Sequence, residues 1–424
     1  MDERTRRDVL RTAGTAGVAV SAGCLSFGDS TESPADGEDG SDDSPNETDE
    51  DVFGPPASNG LETQFRQGLL NTGFIDTSIP EAVEVRWALP TNHGDHTASK
   101  GSPLLAPDGN ILIADDTGRI RSITAAGEVN WSTSFTDAQR GSHGTPAVAD
   151  GTAYIGDYGG VVTALSLADG EIEWQTKISD AIGASPTYHD GRLYVAAEFA
   201  TPSGSVVALD AESGDIEWTD DRPTDHPHST VAIDLERDRL LCGSNDGHCY
   251  AWSFPDLERE WTYDTGDDVK APIAVYRGVA VVPSWAETVT GVDVVDGTRL
   301  WEFETGGKVM CAPAVHDGTA YVGSHDGNVY AIDIATGEEV WSTGVGDLVT
   351  GSAVATREHV LAGAYDARLY ALSREDGSIT WSVEGRGEAT SAALATGDAV
   401  YYAERAPEDT DDQPGMCYKL VAPE

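Results

Sequence analysis

The chain has 424 residues, which is enough for one large repeat domain or for two or three ordinary ones. Its 73 acidic and 26 basic residues give a net charge of −47, which argues against nucleic acid and anionic lipid headgroups as direct partners. The acidic residues are spread through an apolar, periodic sequence, a composition expected of an extreme halophile, where salt screens self-repulsion.

The N-terminus predicts an export address. Residues 5–10, Thr-Arg-Arg-Asp-Val-Leu, and the small apolar run that follows resemble a twin-arginine signal, and the run is too short to span a bilayer as a helix. Residues 21–24, Ser-Ala-Gly-Cys, resemble a lipoprotein cleavage box, so residues 1–24 are predicted to be the signal and Cys24 the site of lipid attachment. Residues 25–58 are Ser, Asp, Glu, Gly and Pro with little apolar content, which predicts a disordered acidic tether. We therefore expect an exported protein, held at the outer face of the membrane by its lipid anchor or released outside the cell.

Beyond the tether, one sequence pattern is repeated. It ends each time in Trp, at steps of 40 to 44 residues, at Trp87, Trp131, Trp174, Trp218, Trp261, Trp301, Trp341 and Trp381. Between successive Trp residues run a strand after Ser-Pro or Ala-Pro, two strands around an Asp-Gly turn, and a last strand. Four strands per unit without helical periodicity predict an all-β fold, the β-propeller.

The count of units predicts how the ring closes. Seven units lie between Trp87 and Trp381, and three further strands follow near residues 389–395, 399–403 and 416–421. The strand at residues 82–87 is predicted to supply the missing fourth strand, because this pairing removes two exposed sheet edges. Residues 59–424 are thus predicted to form an eight-bladed β-propeller of four-stranded blades. A seven-bladed ring with an unpaired strand is the alternative.

The repeat resembles a known family. Residues 331–341, Ala-x-Asp-x-x-Thr-Gly-x-x-x-Trp, and residues 208–218 match the tryptophan-docking repeat of quinoprotein dehydrogenases and BamB-like propellers. The opening at residues 64–73 is also similar to that of exported PQQ-like repeat proteins. The resemblance implies the fold and assigns the repeated Trp to packing between blades, but it does not imply an activity, because this propeller hosts both enzymes and binding proteins.

The enzymes of this family set a test for catalysis. They hold pyrroloquinoline quinone in the central funnel, and their alcohol-oxidising members add a disulfide between adjacent cysteines and a Ca²⁺ bound by carboxylate and amide oxygens. Here the cysteines, Cys24, Cys242, Cys249, Cys311 and Cys417, include no adjacent pair, and there is no haem-attachment motif. No nucleophile–base–acid set is visible either. We therefore expect a non-catalytic binding or scaffold protein without a cofactor. The alternative is a PQQ-dependent dehydrogenase of alcohols or sugars, with PQQ and Ca²⁺.

Two smaller motifs are interpreted as structural. Cys242 and Cys249 flank the turn at residues 245–247, and a two-residue turn would set Cys242 opposite Ala251, a diagonal separation that favours two buried thiols over a disulfide. The nearest approaches to metal-ligand spacing are His226-Pro-His228 and His93-Gly-Asp-His96. Both are interpreted as solvated connectors, so no metal site is predicted.

One distribution points to a binding site at the mouth of the central channel. The connectors that enter the innermost strands and the turns between second and third strands share one face of a propeller. Four of the five lysines lie in or beside those connectors, at Lys100, Lys177, Lys270 and Lys308, and aromatic residues and a histidine occupy the turns, at Tyr158, Phe199, Trp285, His325 and Tyr365. The candidate site residues are Lys100, His143, His228, Lys270, Lys308, Trp285, Tyr158 and Tyr365. They predict an aromatic, locally positive funnel for a protein partner or a small anionic or polar ligand, in a monomeric protein. The alternative is that the turn residues serve only the turns and the lysine positions are coincidence.

Overall fold

The computed structural model describes residues 62–93, 101–407 and 413–424. The chain divides into Met1–Val52 and Phe53–Glu424, and all described residues belong to the second unit. The predicted signal at residues 1–24, the lipid-bearing Cys24, the tether at residues 25–58, His96 and Lys100 lie outside the described residues. Within the described ranges, no helix has the length and apolar character needed to cross a membrane.

The described residues form 32 strands and one short 3-10 turn, Phe65–Gln67. The strands make eight four-stranded sheets, and in seven of them four consecutive strands lie side by side in chain order. This arrangement confirms the predicted all-β, eight-bladed propeller.

Blades 1 to 4 follow one another along the chain, each beginning with its innermost strand. Blade 1 consists of β2 (Leu104–Leu105), β3 (Ile111–Ala114), β4 (Arg119–Ile123) and β5 (Val129–Ser134). Blade 2 consists of β6 (Ala147–Ala149), β7 (Thr152–Gly156), β8 (Val161–Ser166) and β9 (Ile172–Lys177). Blade 3 consists of β10 (Thr187–His189), β11 (Arg192–Glu198), β12 (Gly204–Asp210) and β13 (Ile216–Asp220). Blade 4 consists of β14 (Ala232–Asp234), β15 (Arg239–Gly243), β16 (His248–Ser253) and β17 (Arg259–Asp264).

Blades 5 to 7 repeat the plan, and blade 8 contains strands from both ends of the described chain. Blade 5 consists of β18 (Ala274–Tyr276), β19 (Val279–Ser284), β20 (Thr288–Asp293) and β21 (Arg299–Glu304). Blade 6 consists of β22 (Ala314–His316), β23 (Thr319–Gly323), β24 (Asn328–Asp333) and β25 (Glu339–Gly344). Blade 7 consists of β26 (Val354–Ala355), β27 (His359–Gly363), β28 (Arg368–Ser373) and β29 (Ile379–Glu384). Blade 8 consists of β30 (Leu394–Ala395), β31 (Ala399–Ala403), β32 (Met416–Val421) and β1 (Glu84–Pro90).

The eighth blade confirms the predicted closure and corrects two of its bounds. Strand β1 pairs antiparallel with β32, from Glu84 opposite Val421 to Pro90 opposite Met416, so it extends beyond the predicted residues 82–87 for as long as β32 offers a partner. The first strand of the blade is only Leu394–Ala395, because the chain before it forms a single bridge between Ala389 and Glu404.

The repeated Trp residues join neighbouring blades. The indole N–H of Trp341 donates to the carbonyl of Arg374 in the next blade at 2.9 Å. Its ring lies against Gly377, where an added Cβ would be 2.6 Å from the ring atom Cε3. The same contact recurs between Trp131 and Gly170, Trp174 and Gly214, Trp261 and Gly297, and Trp301 and Gly337. The Trp residues are therefore packing residues, and each requires a side-chain-free position in the following blade.

The segment that precedes β1 closes the central channel. We call residues 63–75 the channel plug. Innermost strands have no neighbour on their inner edge, so their N–H groups need partners in the channel. The plug supplies these partners as backbone carbonyls. The carbonyl oxygens of Thr63, Leu69, Leu70, Thr72 and Gly73 accept hydrogen bonds of 2.6 to 2.9 Å from the N–H groups of Val148, Ile233, Val275, Val315 and Ala355, respectively. One short segment thus binds the innermost strands of five different blades.

The turn of blade 4 corrects the predicted cysteine register. Cys242 lies opposite Tyr250, and Cys249 lies opposite Gly243, so the prediction that placed Cys242 opposite Ala251 is wrong by one residue. In the turn only Gly247 has a positive φ, +84°, which fits a three-residue turn, whereas a two-residue type I′ turn needs two such residues. Cys242 faces the same side of the sheet as its partner Tyr250, whereas Cys249, which is next to Tyr250 in the strand, faces the other side. The two thiols therefore lie in different hydrophobic clusters, on opposite faces of blade 4. All the cysteines in the described ranges are buried and free.

Candidate functional site

A cavity of about 590 Å³ occupies the central channel. Its lining comes from all eight blades, and Phe65 of the channel plug contributes to it as well. The structure brings seven of the eight candidate residues together around this cavity: His143, His228, Lys270, Lys308, Trp285, Tyr158 and Tyr365. The eighth, Lys100, is outside the described ranges.

Backbone hydrogen bonds hold the turn residues at the mouth. The N–H groups of Tyr158, Trp285, His325 and Tyr365 each donate at 2.9 Å to a connector carbonyl, that of Gly141, Asp268, Lys308 and Leu348 respectively. The neighbouring aspartates serve the turns, as the structural alternative predicted: the carboxylate of Asp326, for example, accepts from the N–H of Asn328 at 2.9 Å. Because the turn itself uses the Asp, the aromatic or histidine side chain beside that Asp remains available to line the cavity.

Two of the three Lys and Arg side chains in the lining lie against one aromatic ring. The ammonium of Lys270 lies 3.6 Å and that of Lys308 3.9 Å from the centroid of Trp285. At these distances the negative face of the indole attracts each cation. Lys270 also pairs with the carboxylate of Asp268 at 3.0 Å, so Lys308 carries the less compensated charge of the two. Arg140, which sequence reasoning missed because it counted the lysines of the connectors and not the arginines, adds a guanidinium 5.8 Å from the ring of Tyr158.

Two of the three histidines that line the cavity, His325 and His143, differ in their surroundings. Burial, and then the charge of Lys308, lower the pKa of His325, so this imidazole is neutral at pH 7. His143 is buried and meets the ring of Tyr158 edge-on, with the centroids 4.5 Å apart. The histidines therefore shape the wall, while the lysines and Arg140 supply its positive charge.

The lining contains no carboxylate among the described residues. It has 23 of them, and none is Asp or Glu, although 73 of the 424 residues of the chain are acidic. Lys270, Lys308 and Arg140 are all part of it. The described lining thus holds three Lys and Arg side chains and no carboxylate, while the carboxylates of Asp268 and Glu198, outside the lining, lie 3.0 Å from Lys270 and His228.

An arc of hydroxyls lies at the entry to the innermost strands of blades 1 to 4. The N–H of Ser102 donates to the hydroxyl of Thr145 at 3.0 Å, that of Thr145 to Ser185 at 2.9 Å, and that of Ser185 to Thr230 at 3.1 Å. The arc begins at the closure, where the N–H of Ala392 donates to the hydroxyl of Ser102 at 3.0 Å. Sequence reasoning used the prolines of the repeat and overlooked these residues, although the residue before the repeated Pro was the available signal.

Two residues of the predicted mouth do not reach the cavity. Lys177 is the exposed last residue of β9, and Phe199 follows β11 without lining the cavity. Placing Lys177 among the lysines of the mouth was therefore wrong. Its position in an outermost strand, away from the channel, is the physical reason.

The residues of the cavity do not fit pyrroloquinoline quinone in the way that the resemblance implies for the dehydrogenases. Cys242, Cys249, Cys311 and Cys417 are not adjacent to one another and are buried. Two ammonium groups already lie against the ring of Trp285, and no carboxylate lies in the described lining to bind Ca²⁺ through oxygen. No chemical step through that cofactor follows from this geometry.

Eight four-stranded blades, joined by Trp–Gly contacts around a plugged channel, define a tryptophan-docked propeller of the PQQ-like type. A family model described as outer membrane protein assembly factor BamB matches residues 116–235, 228–311 and 304–409, which is more than half of the chain. The chain belongs to this family, as the sequence resemblance predicted.

Curated relatives and solved structures carry both kinds of name. The chain is 28% identical over 207 residues to outer membrane protein assembly factor BamB of Yersinia pestis, covering 44% of this chain and 50% of that protein. It is 28% identical over 171 residues to a polyvinylalcohol dehydrogenase of a Pseudomonas species, covering 35% of this chain and 26% of that protein. The matched part thus spans half or less of the length of these relatives.

Two solved structures show the fold. The quinohemoprotein alcohol dehydrogenase of Comamonas testosteroni superposes with a TM-score of 0.71 at 14% identity, over 87% of this chain and 82% of that chain. BamB of Moraxella catarrhalis superposes with a TM-score of 0.61 at 18% identity, over 80% of this chain and 98% of that chain. At such identities the likeness is one of fold alone.

Proposed function

We propose that this protein is a non-catalytic binding propeller whose central cavity takes an anionic group. The observation that carries the proposal is the described cavity lining, which holds Lys270, Lys308 and Arg140 and no carboxylate, in a chain of net charge −47. An anion in this cavity gains the attraction of these cations, whereas the surrounding molecule repels it. The cationic lining therefore favours an anionic ligand, and it favours binding of that ligand in the cavity over binding on the outer surface.

The shape of the cavity supports the same conclusion. Its volume of about 590 Å³ is in the range that holds a small molecule or a few side chains of a partner. Tyr158, Trp285 and Tyr365 offer apolar surface, and the arc of hydroxyls that includes Thr145 and Ser185 offers hydrogen bonds. The ligand class is therefore an anion with an apolar or planar body, either free or presented by a protein.

The family supports a protein partner outside the cytoplasm. The names of the BamB relatives refer to the assembly of outer membrane proteins, and a scaffold that holds an acidic segment of a partner is compatible with the cavity. We extend to this chain only the general role of a binding scaffold. From the predicted signal and Cys24 we propose in addition that the protein is exported and anchored by a lipid.

The second candidate function is that of a quinoprotein dehydrogenase of alcohols or sugars. The similarity to a polyvinylalcohol dehydrogenase favours it. Protein isolated from its native membrane would then contain a stoichiometric quinone absorbance and bound Ca²⁺, and it would oxidise alcohols or sugars with an artificial electron acceptor. Stoichiometric quinone with this oxidation would refute the non-catalytic proposal.

Charge reversal at the cavity tests the binding proposal. The fluorescent tetra-anion pyrenetetrasulfonate is titrated into the full-length chain, and its anisotropy is followed. We expect Lys270→Glu with Lys308→Glu to weaken binding by at least about tenfold, because both changes replace an attraction with a repulsion near the ring of Trp285. Lys100→Glu is predicted to weaken it in the same direction.

Lys177→Glu with Lys419→Glu is the matched control, because it makes the same change of −4 in charge at two residues outside the cavity lining. Equal affinities of the double variant and this control would contradict the proposal. Isolation of the chain with its natural partner, in wild-type and double-variant form, then separates a free ligand from a protein-borne acidic segment.

A further inference from the structure

Three residues with metal-ligating atoms meet beside the cavity. Glu198, His226 and His228 each offer one ligand atom, and these atoms lie within 4.8 Å of one another. Glu198 is the last residue of β11 in blade 3, whereas both histidines lie in the connector that leads into blade 4. The closed ring places the two elements together, although they are distant in sequence.

Hydrogen bonds position the carboxylate of this cluster. Glu198 is buried, with 5% of its surface exposed, and its Oε1 accepts from the N–H of Gly183 at 3.0 Å. The same oxygen lies 3.0 Å from Nδ1 of His228. On the backbone, the N–H of Glu198 donates to the carbonyl of Ala181 at 2.9 Å. The end of β11 is therefore fixed, and the carboxylate is held towards the histidines.

The orientation of His226 leaves one ring nitrogen able to bind a cation. Its Nε2 lies 2.7 Å from the carbonyl oxygen of Phe199, and its Nδ1 lies 3.6 Å from Oδ1 of Asp225. A carbonyl oxygen can only accept, so Nε2 carries the proton and donates. In the neutral ring Nδ1 then keeps its lone pair. Metal-binding histidines commonly have their other N–H held by a backbone carbonyl in this way, which orients the ring.

Gly183 leaves open the approach to the other two ligands. A Cβ at this position would lie 2.6 Å from Nδ1 of His228 and 2.8 Å from Oε1 of Glu198. The backbone of Gly183 does not adopt a left-handed φ, so no turn conformation requires glycine here. The absence of a side chain at Gly183 therefore keeps the space in front of the cluster open.

We propose that Glu198, His226 and His228 bind one divalent first-row transition metal ion, with a coordination position open to the central cavity. Two imidazoles and one carboxylate suit Zn²⁺ and its neighbours, whereas Ca²⁺ and Mg²⁺ prefer sites built from oxygen alone. Because His228 lines the cavity, the open position faces it. Tetrahedral zinc would set the three ligand atoms about 3.4 Å apart. They now lie within 4.8 Å of one another, and Oε1 of Glu198 lies 3.0 Å from Nδ1 of His228, so small shifts in both directions would be needed.

The ion would give the cavity a further positive charge and a Lewis-acidic position for an anionic group. The proposal does not depend on the anion-binding function, because the metal alone is the probe in its test. Binding of Zn²⁺ to the untagged full-length chain is measured by equilibrium dialysis in 2 M KCl with millimolar Mg²⁺, which suppresses weak binding to the acidic surface. Co²⁺ is used in parallel, since its visible d–d absorption becomes much stronger when the hydrated octahedral ion is bound in a tetrahedral site.

We expect one Zn²⁺ per chain, and a loss of affinity of at least about tenfold in His226→Ala, His228→Ala and Glu198→Gln. Gly183→Ala should weaken binding as well, because its Cβ enters the space before two ligands. The matched control is His248→Ala, which removes a histidine 3.3 Å from the carboxylate of Asp246 without touching the cluster. Its affinity should equal that of the wild type.

Thermal unfolding of each variant without metal separates loss of ligand from loss of fold, and Gly183→Ala, which keeps all three ligands, provides an independent variant. The proposal would be overturned if stoichiometric Zn²⁺ binding were absent from the wild type. Retention of binding in the three ligand variants, or an equal loss in His248→Ala, would overturn it too.

Discussion

Glu404 is a carboxyl group buried at the end of β31, with none of its surface exposed. Its Oε1 accepts from the hydroxyl of Tyr418 at 3.0 Å and from the N–H of Met416 at 3.2 Å, and its Oε2 accepts from the N–H of Arg386 at 2.9 Å. Burial raises the pKa of Glu404 to about 7, and these hydrogen bonds offset only part of that effect. At neutral pH the group therefore sits at the middle of its titration.

This position predicts a pH-dependent stability. Between the usual pKa of 4.5 and about 7 the native state holds a proton that the unfolded chain has lost, so the free energy of unfolding falls as pH rises through this interval. The loss is on the order of 3 kcal/mol. Denaturant unfolding of wild type and Glu404→Gln at pH 5 and pH 8 measures it. The stability of the wild type relative to the variant should drop by this amount at pH 8.

A difference between Glu404 and Glu404→Gln that does not change with pH would contradict the prediction. Other titrating groups are common to both proteins, so the comparison cancels them. The Gln variant loses an acceptor for backbone N–H groups at every pH, which lowers its stability without changing the slope.

At the same scale, the sequence predicted the mouth of the channel better than its inner contacts. Lys270, Trp285 and Tyr365 could be placed because each has a fixed distance from its blade's Pro and Trp. The contact between Glu198 and His228 could not, because it joins the second strand of one blade to a connector of the next. Spacing along the chain carries no information on such pairs.

The unit that joins two neighbouring blades is a Trp on one blade and a turn glycine on the next. Gly377 and Gly318 both have φ of +72°, but a Cβ on Gly377 meets Trp341 at 2.6 Å, and a Cβ on Gly318 meets nothing within 4 Å. The two positions thus share the backbone requirement and differ in the docking contact. The pair separates these two effects experimentally.

We expect Gly318→Ala to lower the free energy of unfolding by about 1 kcal/mol, the cost of a side chain at positive φ. Gly377→Ala should lower it by about 1–3 kcal/mol more, because the indole and the hydroxyl of Thr343 must move. Denaturant unfolding of both variants measures the difference. Equal losses would show that the Trp contact does not limit packing between the blades.

Strands and turns differed in how far the sequence could predict them. The short apolar runs after Trp381 placed Ala399–Ala403 and Met416–Val421 correctly, because these strands are largely buried on both faces. The length of the turn near Gly247 was misjudged, since a glycine alone does not distinguish two-residue from three-residue turns. The channel plug was also missed. Its backbone carbonyls could be offered by any sequence, and the carbonyl partners of Arg66 and Asn71, such as Ala353 and Ile273, lie far away along the chain.

For the whole molecule, the dominant property is its net charge of −47. Like charges on the folded surface repel one another more than they do in the expanded chain, and salt shortens the range of this repulsion from about 10 Å at 0.1 M to about 3 Å at 1 M. We expect the unfolding temperature to rise steadily with KCl between 0.1 and 2 M.

Calorimetry or circular dichroism in KCl, compared with sucrose at equal osmolality, checks this expectation. Sucrose stabilises by exclusion from the surface without screening charge, so a larger effect of KCl identifies electrostatic repulsion. An unfolding temperature that is the same at both salt concentrations would contradict the prediction, and with it the inferred adaptation to brine.

The pairing of β1 with β32 has a consequence for the order of events during synthesis. Arg86 and Glu424, which are 338 positions apart in the chain, form an ion pair of 3.0 Å beside this seam. The partner of β1 is thus synthesised only after the strands of seven blades, and loop closure over such a separation is slow. Until β32 has been synthesised, β1 has no strand with which to pair, and the eighth blade cannot form. The ring therefore closes late, after the strands of the other seven blades have been synthesised.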